Sequence, residues 1–234
     1  MSEAPREITS SKPVSRPEDA AETVTLVIGN KNYSSWSMRA ALALAMTPAA
    51  AQEILIPLDQ PETRARILEQ SPSGLVPALI HGRVRIWDSL AIVEYLHEVF
   101  PEAGLWPADP GARAVARAVS AEMHSGFSAL RQEMSMDIRN SKAIKASDAC
   151  QADIARVTQI WRDCRNGFGA GGPFLFGQPS AADCMYAPVA SRFRTYGVAL
   201  DEICDSYVGA LFGWPPMRTW VEAAREEPWD LPDH

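Results

Sequence analysis

Residues 24–46 read VTLVIGNKNYSSWSMRAALALAM, and this stretch sets the order of the first elements of the chain. VTLVI (24–28) is a continuous apolar run of the length of a buried β-strand. The stretch predicts a strand that leads directly into an amphipathic helix, with Ser34, Ser35 and Ser37 at the turn. The apolar side chains that recur on one helical face are Met38, Ala41, Leu42, Ala45 and Met46.

The next segments alternate strand and helix signals, and a helix between two strands predicts that these strands run parallel. Two later apolar runs flank His81-Gly82, which predicts an antiparallel hairpin. The order βαβαββα predicts a thioredoxin-like α/β domain over residues 24–100. The segments after the first helix are strand 53–58, helix 61–70, hairpin strands 76–80 and 83–87, and helix 89–100.

The composition and periodicity of the sequence differ on either side of this domain. Residues 101–112 (PEAGLWPADPGA) are rich in Pro and Gly and predict a linker. Beyond it only helical periodicity recurs, so residues 113–234 predict an all-helical domain. The first 23 residues combine both charge signs with three prolines and almost no large apolar side chain, which predicts a disordered tail.

Composition excludes several classes of function. The 234 residues carry a formal net charge of −7, which argues against a nucleic-acid partner because phosphate binding requires clustered Lys and Arg. No apolar run approaches the ~18 residues of a membrane span, and the N-terminus lacks the apolar core of a secretory signal. We expect a cytoplasmic protein with reduced thiols and no metal, because the cysteines form neither a C-x-x-C pair nor a ligand spacing with the histidines. These cysteines are Cys150, Cys164, Cys184 and Cys204.

PSAAD (179–183) is a signal for the start of a helix. Ser180 at the N-cap, with Asp183 three residues later, predicts a capping box in which each side chain accepts a hydrogen bond from the other's backbone. We interpret this motif as a folding device and not as part of a reactive site.

The serines of the first turn have two interpretations on the residues alone. A serine between strand and helix is typical of an N-cap. The same serine can stabilise a thiolate, because a helix N-terminus contributes about 0.3–1 kcal/mol and a hydrogen bond to a charged group about 1.5–3 kcal/mol. Together, roughly 2–4 kcal/mol would lower a thiol pKa of ~8.5 by one to three units. No strong base neighbours Ser34 in sequence, which favours donation to a sulfur over nucleophilic attack by its own hydroxyl.

Two further motifs also keep two interpretations. In GLVPAL (74–79), Pro77 starts a strand, and a cis Val76-Pro77 bond would turn the main chain of Val76 towards an extended peptide. In WDSL (87–90), Asp88 and Ser89 begin a helix. They predict either an N-cap or a site where Ser89 and free helical N–H groups hold a carboxylate and Asp88 receives an ammonium group.

Taken together, these motifs resemble those of the soluble glutathione S-transferases over residues 24–226. The motifs that carry the resemblance are SSWSMRAALAL, SGLVPAL, WDSLAIVEYL and PSAAD, in this order and spacing. The first is most similar to the serine-type zeta class, whose pattern is Ser-Ser-Cys-Ser followed by two residues that include Arg. Ser37 and Arg39 match that pattern, and Trp36 stands in place of the cysteine.

The resemblance implies a glutathione site in the first domain. Ser34 takes the position of the catalytic serine that hydrogen-bonds the glutathione sulfur, with Ser35 and Trp36 beside it. Val76 and Pro77 match the cis-proline turn whose main chain pairs with the cysteinyl part of glutathione. Asp88 and Ser89 match the Glu-Ser pair that holds the γ-glutamyl end.

The resemblance also implies a second substrate and a homodimer. The electrophile is expected between the domains, against the first long helix of the second domain. We therefore predict a glutathione transferase that uses glutathione as co-substrate. The alternatives are a non-catalytic binding module and a glutathione-dependent isomerase, whereas the absence of cysteine from residues 34–37 argues against a thiol-disulfide oxidoreductase. The residues implied for the electrophile site are Tyr33, Met123, Phe127, Arg131 and Met134.

Overall fold

A computed structural model describes residues 23–231 of the chain. Except for Thr23, the predicted disordered tail lies outside the described residues. The first domain has the predicted order βαβαββα, which confirms a thioredoxin-like domain. Its elements are β1 (Val24–Ile28), α1 (Ser35–Ala45), β2 (Ala51–Leu55), α2 (Thr63–Gln70), β3 (Ala78–His81), β4 (Val84–Trp87) and α3 (Ser89–Val99).

The four strands form one mixed sheet in the order β2-β1-β3-β4. Strand β1 pairs in parallel with β2 and antiparallel with β3, and β3 pairs antiparallel with β4. Because β1 is hydrogen-bonded on both sides and buried, it is a continuous apolar run. The second strand spans 51–55 and not the predicted 53–58, and it ends two residues before Pro57, which has no N–H for the ladder.

The second domain is helical in the part of the chain that the structure describes, apart from two isolated β-bridges between residues 174 and 178. None of the helices between residues 23 and 231 combines the length and the apolar content needed to cross a bilayer. The segment predicted as a linker contains a 3₁₀ turn at Pro101–Ala103, and its last three residues begin α4. The helices are α4 (Pro110–Ser125), α5 (Ser128–Glu133), α6 (Asp148–Phe168), α7 (Ala181–Thr195), α8 (Glu202–Gly213) and α9 (Pro215–Glu226).

The first long helix of the second domain is shorter than its apolar periodicity predicts. The spacing of Met123, Phe127 and Met134 predicts one continuous face, but α4 ends at Ser125. Phe127 adopts a left-handed backbone with φ 59°, and a separate helix α5 follows. Arg131 on α5 donates to the carbonyl oxygens of Met123 and His124, so its guanidinium satisfies acceptors that the end of α4 leaves open.

Helix α7 is the centre of the second domain and joins it to the first. All of its residues except Arg194 are buried, and it packs against α4 on its own side and α1 across the domain boundary. Its start is the predicted capping box, which the structure confirms. Buried Asp183 accepts hydrogen bonds from Ser180 N at 2.8 Å, Leu175 N at 3.1 Å and Tyr207 Oη at 3.0 Å.

We expect Asp183→Ala to lower the free energy of unfolding by about 2–4 kcal/mol, because it removes the cap and leaves several buried donors without an acceptor. Urea unfolding followed by circular dichroism measures the change. The control is Asp163→Ala, since Asp163 is exposed on α6, and it should stay within about 0.5 kcal/mol of the parent chain. Equal effects of the two substitutions would contradict a structural role for the capping box.

Candidate active site

A cavity of about 370 Å³ lies between the two domains at the N-terminus of α1. Its volume falls in the range of roughly 300–1,000 Å³ that is typical of small-molecule sites. Both domains contribute to its wall, as expected for a site that binds two substrates. The predicted site residues that line it are Tyr33, Ser34, Ser35, Trp36, Val76 and Arg131.

Ser34 is the N-cap of α1 and also lines the cavity. Its Oγ accepts from Ser37 N at 3.3 Å and donates to Ser37 Oγ at 2.7 Å, and Ser37 Oγ accepts from Gly29 N at 3.1 Å. The cap and the cavity-lining hydroxyl are therefore the same group. The first turn of α1 contains no acidic residue, so no carboxylate in that turn neutralises its positive end.

Val76 presents its main chain at the opposite side of the cavity. The Val76–Pro77 peptide bond is cis, as the resemblance implies. Val76 precedes strand β3, and within residues 23–231 no hydrogen bond occupies its N–H or C=O. Both groups are thus available to an extended peptide in the manner of an added strand.

Asp88 and Ser89 lie at the N-terminus of α3, outside the lining of the main cavity. Asp88 adopts φ 77°, and its Oδ1 caps the helix by accepting from Leu90 N at 2.8 Å. Its Oδ2 lies 3.1 Å from Nε2 of His124, at the end of α4. The buried Ser89 hydroxyl has no hydrogen-bond partner among the described residues. The Asp88 carboxylate thus has three partners, Leu90 N, Ala91 N and His124, whereas the Ser89 hydroxyl has none among the described residues.

The Trp36 ring contacts two guanidinium groups. Its ring centre is 4.4 Å from Arg39 Cζ and 4.8 Å from Arg131 Cζ, and the His124 ring meets it edge-on at 5.2 Å. Cations over an aromatic face are attracted by its negative quadrupole. The side chain that replaces the cysteine of the zeta pattern thus organises the basic groups around the cavity.

Arg131 and Arg192 line the cavity, and the buried Arg39, which does not line it, lies over the Trp36 ring. We call these three arginines the basic cluster. Within residues 23–231 none of the three forms an ion pair with a carboxylate. Burial, reinforced by the mutual repulsion of the three charges, holds the pKa of Arg39 well below its usual range and lowers that of Arg192 to about 10. All three remain protonated at neutral pH. The cavity lining contains Arg64, Arg131 and Arg192 but only one carboxylate, that of Asp59, so it carries an excess of positive charge.

Three residues predicted for the electrophile site lie in the hydrophobic core instead of the cavity wall. Met123, Phe127 and Met134 are all buried, and none of them lines the cavity. The second-domain wall is formed instead by Ser135 and Met136, which follow α5, and by Arg192 of α7, together with Arg131.

The sequence interpretation missed part of the wall. Thr63, Arg64 and Leu75 come from the first domain, and Ser135, Met136 and Arg192 from the second. Arg192 follows the apolar residues of a buried helix, and no local pattern distinguishes it from a surface arginine. Between residues 23 and 231, no group of three or more His, Cys, Asp or Glu side chains is arranged to hold a metal ion.

Two family models match the chain over most of its described length. The N-terminal domain of glutathione S-transferase matches residues 33–99, and the C-terminal domain of glutathione S-transferase matches residues 113–223. The chain belongs to the glutathione S-transferase family. The predicted family is confirmed.

Individual relatives agree with this family. The chain is 35% identical over 114 residues to a probable maleylacetoacetate isomerase of Caenorhabditis elegans, which covers 47% of this chain and 53% of that protein. It is 35% identical over 97 residues to glutathione S-transferase 1 of Dianthus caryophyllus, and this match covers 41% of this chain and 44% of that protein. The chain thus spans about half the length of these two relatives. A maleylacetoacetate isomerase of Pseudomonas aeruginosa is 27% identical over 208 residues, covering 85% and 89%.

Solved structures support the fold. A maleyl pyruvate isomerase, described as a bacterial zeta-class glutathione S-transferase, superposes with a TM-score of 0.68 at 23% identity, covering 87% of this chain and 99% of that one. A glutathione transferase homologue from Burkholderia, solved with bound glutathione, superposes with a TM-score of 0.66 at 24% identity, covering 88% and 99%. The predicted two-domain fold and its similarity to zeta-class members are confirmed.

We expect His124 to make the folded chain less stable in acid. Burial lowers the pKa of His124 below its ordinary value of about 6.5, with Arg39 and Arg131 acting in the same direction and Asp88 opposing them. Below about pH 6.5 the unfolded chain therefore binds a proton that the folded chain binds only at lower pH, and stability falls as the pH falls.

The variant His124→Gln keeps a donor for Asp88 but does not titrate. Its urea midpoint should fall less than that of the parent chain between pH 7.5 and pH 5.5, because the other histidines titrate equally in both. Equal losses in the two chains would contradict a depressed pKa at this site.

Proposed function

We propose that this protein ionises the thiol of glutathione through Ser34 and adds the thiolate to an electrophilic carbon of a small molecule. The observation that carries the proposal is the position of the Ser34 hydroxyl, at the uncompensated N-terminus of α1 and in the wall of the interdomain cavity. On binding, the thiol proton passes to solvent. The thiolate then forms the C–S bond, and either a leaving group departs or a proton completes the addition.

Ser34 can serve both helix and thiolate because hydroxyls donate and accept at once. In the free protein it donates to Ser37. When the sulfur binds, Ser34 turns its proton to the thiolate, and Ser37 donates its own proton to Ser34 Oγ. The bond to sulfur contributes about 1.5–3 kcal/mol and the helix end about 0.3–2 kcal/mol. The sum lowers the thiol pKa by one to three units, which makes the thiolate the main form near pH 7.

Val76, Ser89 and Asp88 bind the remaining parts of glutathione in this proposal. The main chain of Val76, before Pro77, pairs with the cysteinyl part of glutathione. The buried Ser89 hydroxyl, unpaired among the described residues, receives the γ-glutamyl carboxylate at the N-terminus of α3. Asp88 receives the ammonium group from beside His124, and Ser35 and Trp36 complete the wall around the sulfur.

The electrophile lies on the second-domain side of the cavity, and the basic cluster indicates that it carries a negative charge. Tyr33 and Arg131 line this side, with Met123, Phe127 and Met134 in the core behind it. A carboxylate on the electrophile would balance the excess positive charge of Arg131 and Arg192, neither of which forms an ion pair with a carboxylate within residues 23–231.

This anion preference favours glutathione-dependent isomerisation as a second candidate function. Maleylacetoacetate, named in two relatives, carries carboxylates. In such a reaction the thiolate adds to a double bond, the new single bond rotates, and elimination returns glutathione. Trp36 replaces the cysteine associated with that activity in zeta enzymes, so we keep transfer as the leading proposal.

We also propose a cytoplasmic homodimer that takes part in detoxification and has no nucleic-acid or membrane partner. The compartment is supported by Cys150, Cys164, Cys184 and Cys204, all of which are buried free thiols. The two-fold dimer is supported by family membership and by the prevalence of such symmetry among soluble oligomers. Analytical ultracentrifugation tests the oligomeric state.

We expect Ser34→Ala to lower kcat/KM at pH 7 by about 10- to 100-fold, the equivalent of one hydrogen bond to a charged group. The loss should shrink above about pH 9, where glutathione ionises by itself. The ultraviolet absorbance of the bound thiolate, titrated against pH, measures the shift directly. Ser35→Ala is the matched control and should cause a smaller loss.

Thermal unfolding must accompany this experiment, since removal of the Ser34 cap costs about 1 kcal/mol. Full activity of Ser34→Ala would refute the assigned role, and a larger loss in Ser35→Ala would transfer that role to Ser35. A parent chain that does not bind immobilised glutathione would favour the non-catalytic module.

We expect Arg192→Met to reduce the preference for a carboxylate-bearing electrophile over a neutral one about tenfold, because it removes one charge-assisted contact. The ratio of the two kcat/KM values measures the preference independently of thiol activation. Arg194→Met, at an exposed position of the same helix, is the control. An unchanged ratio in Arg192→Met would argue against an anionic substrate.

A further inference from the structure

The loop of residues 30–33, directly before Ser34, is held by the second domain at Asn32, at the main chain of Lys31 and at the Tyr33 hydroxyl. Asn32 is fully buried, and its Nδ2 donates to Asp137 Oδ1 at 2.9 Å while its Oδ1 accepts from Arg139 N at 2.9 Å. On the other side of the loop, Lys31 O accepts from the indole of Trp220 at 3.0 Å. The loop's conformation therefore depends on residues more than 100 positions away.

The carboxylate of Glu227 contacts the main chain of this loop. Glu227 follows helix α9 and is buried, with 7% of its surface exposed. Its Oε1 accepts from Lys31 N at 2.6 Å, and its Oε2 accepts from Asn32 N at 3.0 Å. The two oxygens thus bind consecutive main-chain N–H groups of the loop that leads into the N-cap.

Arg139 fixes the segment that carries Glu227. Its Nη1 donates to Glu227 O at 2.6 Å, and its Nη2 donates to Trp229 O at 2.5 Å and to Tyr33 Oη at 3.1 Å. Leu231 N also donates to Tyr33 Oη, at 3.2 Å. We call residues 227–231 the C-terminal clasp, since they close over the loop and are tied to it from both sides.

We propose that Glu227 is a positioning residue for the reaction: its carboxylate holds the loop of residues 30–33 so that the Ser34 hydroxyl faces the glutathione sulfur. This inference rests on the proposed role of Ser34. Glu227 does not line the cavity and cannot contact the sulfur, so it acts through Ser34, whose N–H donates to Asn30 O at 2.8 Å.

The clasp is not part of what the family comparison covers. The matched N-terminal domain begins at residue 33, after Lys31 and Asn32, and the matched C-terminal domain ends at residue 223, before Glu227. A donor must be held within ~0.5 Å of its productive position, and a displacement of ~1 Å costs about 100-fold in rate. A loop without regular structure meets this demand only when contacts outside it fix its course.

The test uses Glu227→Gln in the full-length chain. The amide matches the shape of the carboxylate, but its one oxygen can accept from only one of the two N–H groups, and its NH₂ opposes the other. The matched control is Glu226→Gln, because Glu226 is exposed and has no hydrogen bond in the described structure. Two quantities are measured in each chain: the pH profile of kcat/KM for glutathione, and hydrogen exchange of the peptide that contains residues 30–34.

We expect kcat/KM of Glu227→Gln to fall about tenfold at pH 6.5 and to approach that of the parent chain above pH 9, while exchange in the loop accelerates at least tenfold. Glu226→Gln should behave as the parent chain. A purely stabilising clasp would lower activity equally at every pH, in step with the unfolded fraction, and that result would overturn the proposal. An unchanged profile would overturn it as well.

The exchange measurement separates failure of this inference from failure of the proposed function. If the parent chain shows no glutathione-dependent turnover, the role of Ser34 is wrong, and no reaction remains for Glu227 to serve. Faster loop exchange in Glu227→Gln would then still establish that the clasp holds the loop. Unchanged exchange would refute the clasp whatever the activity.

Discussion

The packing of helix α1 against helix α7 places the Ser34 end of α1 at the boundary between the two domains. Helix α1 follows β1 at the centre of the sheet and packs against α7, the most buried helix of the second domain. Because the sheet and α7 hold α1 on two sides, the N-terminus of α1 lies at the domain boundary, with Ser34 as its N-cap. The cap, the positive helix end and the cavity then coincide at one point. A thiolate bound there would meet a donor and a favourable field after no more than rotation of the Ser34 and Ser37 hydroxyls.

Positive charge from buried arginines is the second feature of the cavity. Burial of Arg39 and Arg192 opposes their protonation, and residues 23–231 offer neither a carboxylate partner. The Trp36 ring provides partial compensation, since the guanidinium groups of Arg39 and Arg131 lie 4.4 Å and 4.8 Å from its centre. An aromatic side chain at a position where relatives of the zeta pattern carry cysteine therefore has a physical reason: its negative face attracts both cations.

Much of the fold and the centre of the site were predictable from the sequence, because they depend on contacts within a few residues. The strand-to-helix turn at Ser34, the capping box at Ser180 and the hairpin at His81-Gly82 are all local signals, and the structure contains them. The apolar spacing of Met123, Phe127 and Met134 predicted one continuous helix, and this prediction was wrong. A helix that breaks at Gly126 can bury the same residues as a continuous one. Gly126 is the local clue to that break, and Arg131 consolidates it only after the chain has folded back.

What the sequence by itself determined is the succession of elements and the kind of chemistry that their ends support: a hydroxyl at a helix N-terminus and a main-chain turn before Pro77. Periodicity and capping reveal these features because they arise from interactions between residues three or four positions apart. Only the tertiary structure decided which distant side chains complete the site. Arg192 reaches the cavity, and Glu227 reaches the loop before Ser34, through contacts between residues far apart in sequence, and such contacts leave no trace in the local pattern of either partner.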